Sequence, residues 1–160
     1  MKKIQLLIYG LLLSLLTVHA ADNTTRWHTY LAMYNTIAVA EAENNVYAVA
    51  DGTLYSYGKS DDNIRVYSRQ TGLSDSDVRL IRYNASTRTL VIAYANGNID
   101  LMTSDGIYNL PFLKNTTNIQ DKTLNAIDLS GDRAYLSANF GILVIDLKKR
   151  EVAETYRLDR

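Results

Sequence analysis

The sequence predicts an all-β protein: three four-stranded antiparallel meander blades of an incomplete β-propeller, preceded by a signal peptide. Three observations carry that expectation. Residues 72–102, GLSDSDVRLIRYNASTRTLVIAYANGNIDLM, read as three short apolar strands joined by turns at Asn84-Ala85-Ser86 and Asn96-Gly97-Asn98. Asn-Gly between apolar runs marks a hairpin, because both central residues of a type I′ turn need positive φ. A hairpin glycine recurs at Gly52, Gly97 and Gly141, at intervals of 45 and 44 residues. That is the period of four-stranded propeller blades. Apolar runs flank each glycine on both sides, as in VYAVA before Gly52 and LYSY after it. A β-sandwich also shows regular short strands, but it gives no reason for a repeat at this period.

The first 20 residues stand apart from the fold. Lys2 and Lys3 form a basic start, residues 4–18 are almost wholly apolar, and Val18-His19-Ala20 places small residues at −3 and −1 of a cleavage site after Ala20. This is the pattern of a secretory signal peptide. An uncleaved membrane anchor is the alternative, although a span wants ~20 apolar residues. The chain has no cysteine, so neither a lipid anchor on that residue nor a disulfide framework is expected. With Lys2 and Lys3 removed, 15 basic residues face 17 acidic ones, a net charge of −2. No basic cluster is present to neutralise phosphates, which argues against a nucleic-acid partner.

Residues 21–35 form an N-terminal segment containing WHTYLAMY (27–34), readable as a strand, a packed lead-in or a short amphipathic helix. The propeller then occupies 36–160, with blades at about 36–71, 72–116 and 117–160. The first blade reads TIAVAEA, VYAVA, TLYSY and IRVYS, with Asp51-Gly52 at its central hairpin. The second is the Gly72 stretch completed by residues 107–110. The third reads LNAIDL, RAYLSA, ILVIDL and VAETYRL. In every blade the second and third strands are the most apolar, as expected for strands buried on both faces. The middle blade, flanked on both sides, is expected to be the best buried. Three blades do not close a ring, so the chain is expected to be the N-terminal part of a larger propeller, whose remaining blades cover its open ends.

These motifs carry a family resemblance. The GLSDSDV loop, followed by I-x-Y-N, an apolar strand and a hairpin into I-D-L, resembles the repeat of two-component-regulator propellers of Bacteroidetes. W-x-x-Y-L-A-x-Y at 27–34 with V-Y-A-V-A-D-G-x-L-Y-S-Y at 46–57 more narrowly resembles the N-terminus of PorZ-type proteins, and GNIDLM and FGILVIDL fit as well. The PorZ resemblance implies a non-catalytic exported propeller in the periplasm or at the cell surface. Its implied partners are proteins of the type IX secretion machinery or a surface glycan. The other resemblance implies the periplasmic glycan-sensing propeller of a hybrid two-component regulator.

Catalysis is poorly supplied by the residues. Past residue 20 the sole histidine is His28 and there is no cysteine, so neither a nucleophile–histidine arrangement nor a zinc site is indicated. No cofactor or metal is expected. Asp61-Asp62-Asn63 and the pair Asp75 and Asp77 lack the spacing of a calcium loop and read as solvated turns. A propeller glycosidase or lyase is the third and weakest functional reading. Among the 12 tyrosines, Tyr47, Tyr94 and Tyr135 sit inside apolar strands and read as packing residues. Tyr57, Tyr67 and Tyr108, nearer strand ends, are the candidate contacts for a partner or glycan, since a phenol offers a flat apolar face and a hydroxyl. Gly52, Gly72, Gly97 and Gly141 are read as structural turns, with Gly72 opening a blade-to-blade connector. Sequons at Asn23, Asn84 and Asn115 are compatible with glycosylation.

Overall fold

A computed structural model describes residues 34–158. The signal peptide expected over 1–20, His28, the sequon at Asn23 and most of the 21–35 segment lie outside the described residues. Twelve strands follow one another in three sheets. Blade 1 is β1 (Thr36–Glu41), β2 (Asn45–Ala50), β3 (Thr53–Gly58) and β4 (Ile64–Tyr67). Blade 2 is β5 (Val78–Asn84), β6 (Thr89–Tyr94), β7 (Ile99–Thr103) and β8 (Gly106–Leu110). Blade 3 is β9 (Leu124–Ser130), β10 (Arg133–Ala138), β11 (Gly141–Asp146) and β12 (Glu151–Arg157). Each sheet is a four-stranded antiparallel meander in chain order. β1 lies beside β5, and β5 beside β9, so the first strands of the blades gather along one inner edge. The described residues thus form three consecutive blades of a β-propeller.

The alternation of side chains explains where the core lies. On β6, Leu90, Ile92 and Tyr94 enter a cluster shared with Val49 and Leu54 of blade 1. Val91 and Ala93 point the other way, into a cluster with Leu136, Leu143 and Ile145 of blade 3. Both faces of β6 are therefore covered, and all six of its residues are buried. This double burial is why its sequence is a continuous apolar run rather than an alternating one. Connectors plug the same seams: Leu73 joins the first cluster, while Leu113, on the short helix α1 (Phe112–Asn115), and Ile119 join the second.

One repeated feature has no sequence signature. The pairing register slips by one residue near the start of the inner strand of each blade, at Ile37 in β1, Arg79 in β5 and Asn125 in β9. Such a bulge bends the strand and raises its twist, which suits a strand that must curve along the inner edge.

The hairpin turns differ in detail. Asp51 (φ 48°) and Gly52 (φ 75°) form a two-residue turn with both φ positive, while Ala50 pairs with Thr53. At Asn96-Gly97 only Gly97 has positive φ, 79°. There the loop has three residues, closed by Tyr94 N–H donating to the Asn98 carbonyl at 3.0 Å. A type I turn followed by a left-handed glycine has this form, so the two-residue type I′ turn expected there is replaced. The cause is local: Asn96 donates from Nδ2 to Asp75 at 2.6 Å and accepts at Oδ1 from Asn98 N–H at 3.0 Å. Gly141 lies one residue past its turn, paired with Ala138, and the turn itself is Asn139-Phe140.

Candidate functional site

Cross-strand pairing builds rows of side chains across each blade. Tyr47 pairs with Ser56, and Ser56 with Arg65, so these three share one face of blade 1, turned toward blade 2. The facing row on blade 2 is Tyr83, Leu90, Met102 and Ile107. Between the two rows lies a groove of about 590 Å³, opening at the end that carries the β1–β2 and β5–β6 turns.

The corresponding row at the next seam shows what is unusual here. Counted from the central hairpin, Tyr47, Ser56 and Arg65 of blade 1 correspond to Val91, Leu101 and Tyr108 of blade 2. Val91 and Leu101 are completely buried. Tyr108 is capped by Arg150, whose guanidinium carbon lies 3.7 Å from the ring centroid. At the second seam the corresponding inner positions are buried; in blade 1 the serine that stands where blade 2 has leucine is buried too, beside the Tyr67 hydroxyl, and the groove opens along Tyr47, Arg65 and Tyr67.

The groove is aromatic and polar. The Tyr47 and Tyr67 rings lie 6.1 Å apart, tilted by 45°, and the Ser56 hydroxyl is 3.2 Å from the Tyr67 hydroxyl. Burial, and then the neighbouring Tyr67, push the Tyr47 phenol up to about 12. Burial also raises Tyr83, followed by the charge of Glu43. Both phenols therefore keep their protons at ordinary pH and both donate and accept hydrogen bonds. At the rim Arg88 is paired with Glu43 at 3.1 Å. Arg65, by contrast, has no hydrogen-bond or ion-pair partner among the described residues, although its side chain lines the groove.

The three tyrosines singled out in the sequence are not brought together. Tyr67 lies in the groove. Tyr57 lies on the opposite face of blade 1, half-exposed, and donates to Asp62. Tyr108 belongs to the second seam, where its hydroxyl donates to Asp105 at 2.7 Å. Of the tyrosines read as packing residues, Tyr94 is buried, whereas Tyr47 and Tyr135 are half-buried. Tyr47, Arg65 and Tyr83 are the groove residues that sequence reasoning did not nominate. A comparison of blades 1 and 2 in structural register, rather than glycine register, exposes Tyr47 and Arg65, although blade 3 again carries a tyrosine, Tyr135, at the Tyr47 position.

The connector end is occupied by structural bonds. Gly72 (φ 111°) closes a turn with its N–H on the Arg69 carbonyl at 3.3 Å. Ser74 N–H then donates to the buried Asp100 carboxylate at 2.8 Å, which also accepts from Tyr94 Oη at 2.5 Å and Asn109 Nδ2 at 2.8 Å. Asp75 is bonded by Lys114 at 2.7 Å and by Asn96. Burial alone would raise the Asp75 carboxyl, but these hydrogen bonds prevail and hold it at about 2. Asp77 pairs with Arg79 at 3.1 Å; at the opposite end, on the β3–β4 loop, Asp61 accepts from the Asn63 side chain at 2.8 Å, and the hydrogen bonds from Asn63, followed by the charge of Arg65, lower its carboxyl. Asn84 is buried: its Nδ2 donates to the Gly131 carbonyl at 2.9 Å and its Oδ1 accepts from Ser86 and Thr87. It staples blade 2 to blade 3 and does not present a free amide for modification.

Comparison with known proteins decides the family. The family model described as "TSS9, PorZ, N-terminal beta-propeller domain" matches residues 46–160. The chain belongs to the PorZ N-terminal β-propeller family. Among solved structures it is similar to PorZ of Porphyromonas gingivalis, with 41% identity and a TM-score of 0.75 over 79% of this chain. That structure is described as an essential bacterial surface component of the type IX secretion system. The chain spans only 17% of the length of that PorZ chain. The extracellular domain of the putative one-component system BT4673 from B. thetaiotaomicron is 12% identical, with a TM-score of 0.61 over 77% of this chain and 17% of its own. Dihydro-heme d1 dehydrogenase NirN is 16% identical, with a TM-score of 0.58 over 78% of this chain and 28% of its own. The last two share the propeller fold. No curated protein matches the chain.

Proposed function

We propose that this member of the PorZ N-terminal propeller family is a non-catalytic, exported binding and scaffold module of type IX secretion. In this reading it acts in the periplasm or at the cell surface by recognising a surface glycan and protein partners of the export machinery. The observation that carries the reading is the open tyrosine-lined groove between blades 1 and 2, in a fold whose other described seam is packed shut. Stacking of an aromatic ring against the apolar face of a sugar, with phenol hydroxyls at its edge, is the chemistry such a groove supplies. Remaining blades of a larger propeller fit the same reading, since Ile37, Val39, Ile64 and Val66 lie exposed on the outer face of blade 1, and an open apolar face of this kind is suited to packing against another blade.

The second reading is the glycan-sensing propeller of a hybrid two-component regulator. Its support is the likeness to BT4673, which at 12% identity speaks for the fold only. One experiment separates the two. The gene is deleted and complemented, surface display of type IX cargo is measured, and the full chain is tested for retention on polysaccharide extracted from the cell surface. The secretion reading expects loss of display together with glycan retention. Normal display with altered transcription of polysaccharide-utilisation genes would favour the sensor instead, and absence of retention would remove the glycan from either.

A further inference from the structure

We propose that Asn96-Gly97 is a site of spontaneous backbone modification, where the asparagine amide is lost to attack by the following backbone nitrogen, and that Asp75 of the connector guards it. It is the chain's one Asn-Gly pair. Asparagine is a thermally labile residue, and glycine, lacking a Cβ, leaves its own nitrogen unhindered. In the reaction the Gly97 nitrogen gives up its proton to hydroxide and bonds to Asn96 Cγ. The Cγ–Nδ2 bond then breaks, and Nδ2 takes up a proton and departs as ammonia. Water opens the resulting succinimide at either carbonyl, leaving aspartate or isoaspartate. The net change converts an amide and a water to an acid and ammonia, and nothing is oxidised or reduced.

The folded chain restrains both reacting groups. Asn96 is exposed to water at the tip of the β6–β7 hairpin, yet its Nδ2 donates to Asp75 at 2.6 Å and its Oδ1 accepts from Asn98 N–H at 3.0 Å. The nucleophile is tied as well, since Gly97 N–H donates to the Tyr94 carbonyl at 3.1 Å. Lys114, on the other connector, fixes the Asp75 carboxylate at 2.7 Å. The guard matters because the products do not fit. An aspartate in place of Asn96 sets a second carboxylate against Asp75, and like charges at that range repel. An isoaspartate adds a methylene to the backbone beside Gly97, where even a Cβ would lie 2.9 Å from Lys122 Cβ and 3.2 Å from Leu113 Cγ. Asp75 belongs to the connector before blade 2, and Leu113 and Lys122 to the one after it, so a single lost amide loosens both. A chain whose connectors stay docked keeps its amide, and one that opens there is marked irreversibly.

The test incubates the full chain in mildly alkaline buffer and follows ammonia release, with peptide mass spectrometry locating the converted residue. Native protein should convert Asn96 more than about tenfold more slowly than the urea-unfolded chain, and Asp75→Ala should remove about tenfold of that protection, the rate equivalent of one charge-assisted hydrogen bond. Asp75→Asn, which keeps an acceptor oxygen without the charge, should fall between the two. Asn84→Ala weakens the second seam but leaves the guard in place, so its rate should stay close to the native one. Asn96→Ser should abolish the early release of ammonia, and Asn96→Asp, which copies the aspartate product, should lower the urea midpoint at neutral pH. Earlier conversion of a different asparagine overturns the site. A native rate equal to the unfolded one, or an Asn84→Ala rate equal to that of Asp75→Ala, overturns the guard, because protection would then be absent or merely global. An unchanged urea midpoint for Asn96→Asp overturns the loosening of the connectors.

Discussion

Arg150 lies over the ring of Tyr108 at 3.7 Å and donates to Asp105 at 2.9 Å. Arg88 bonds Glu43 one blade earlier in the chain. In each case the arginine sits on a hairpin turn and its acidic partner on a turn of the preceding blade, so the rims of neighbouring blades are tied by exposed ion pairs. Because Asp105 is held well below the usual carboxylate range by hydrogen bonds from Thr103, Tyr108 and Arg150, its pair with Arg150 persists through the whole neutral range.

The Arg150 contacts should respond to salt in two parts. In a double-mutant cycle of Arg150→Ala with Asp105→Asn, coupling read from urea midpoints should shrink in 1 M NaCl, since exposed pairs are screened. The cycle of Arg150→Ala with Tyr108→Leu should lose less, because stacking also removes apolar area. Equal screening of both would show that the ring contributes only through its charge distribution.

Asn84→Ala should destabilise the chain by about 2 kcal/mol, since it strips a hydrogen-bond donor from the Gly131 carbonyl and an acceptor from the Thr87 N–H in a buried place. Asn115→Gln, on an exposed position of α1, should remain within about 0.5 kcal/mol. Urea unfolding followed by tyrosine fluorescence measures both, and equal effects would refute the staple.

Asp75 predicts a pH dependence. Its carboxyl is held at about 2 by Lys114 and Asn96 against the opposing effect of burial. A group lowered in the folded state stabilises it above its unfolded value, near 4, and that contribution fades as pH falls toward 2. Stability should therefore drop between about pH 4 and 2 by an Asp75-dependent amount on the order of 2 kcal/mol. Asp75→Asn should be less stable at pH 7 and lose less over that interval, which acid titration of the unfolding midpoint would reveal.

Tight backbone packing at β11 can be measured with two glycines. A Cβ at Gly141 would overlap the Tyr156 carbonyl oxygen, on a backbone with φ 139°. Gly131 has φ 56° and open space around it. Gly131→Ala should cost about 1 kcal/mol, the left-handed penalty alone, and Gly141→Ala about 3 kcal/mol or more. Thermal melts that rank them the other way would contradict the pairing of β11 with β12.

Much of the fold was legible because its signals are local. Strand β6 announced itself as an apolar run, and Asp51-Gly52 as a turn, through residues adjacent in the chain. The bulges at Ile37, Arg79 and Asn125 were not, since a bulge places no demand on residue type that an isoleucine, an arginine and an asparagine share. Asn96-Gly97 misled on turn type because the bond from Asn96 to Asp75 comes from a connector 21 residues away. The groove was least legible of all. Tyr67 was found as an aromatic near a strand end, but Tyr47, Ser56 and Arg65 become a row only when strand pairing is known, and the row becomes notable only beside Val91, Leu101 and Tyr108.

The bonds from Arg88 to Glu43, Arg82 to the Ile127 carbonyl and Arg150 to Asp105 each span 45 residues. Docking any blade on its predecessor therefore closes a loop of the same length, with a chain-entropy cost of about 3 kcal/mol each time beyond a constant. No described blade waits on a distant part of the chain for its first neighbour. Such a sequence can assemble in order along the chain, each blade serving as the template for the one that follows.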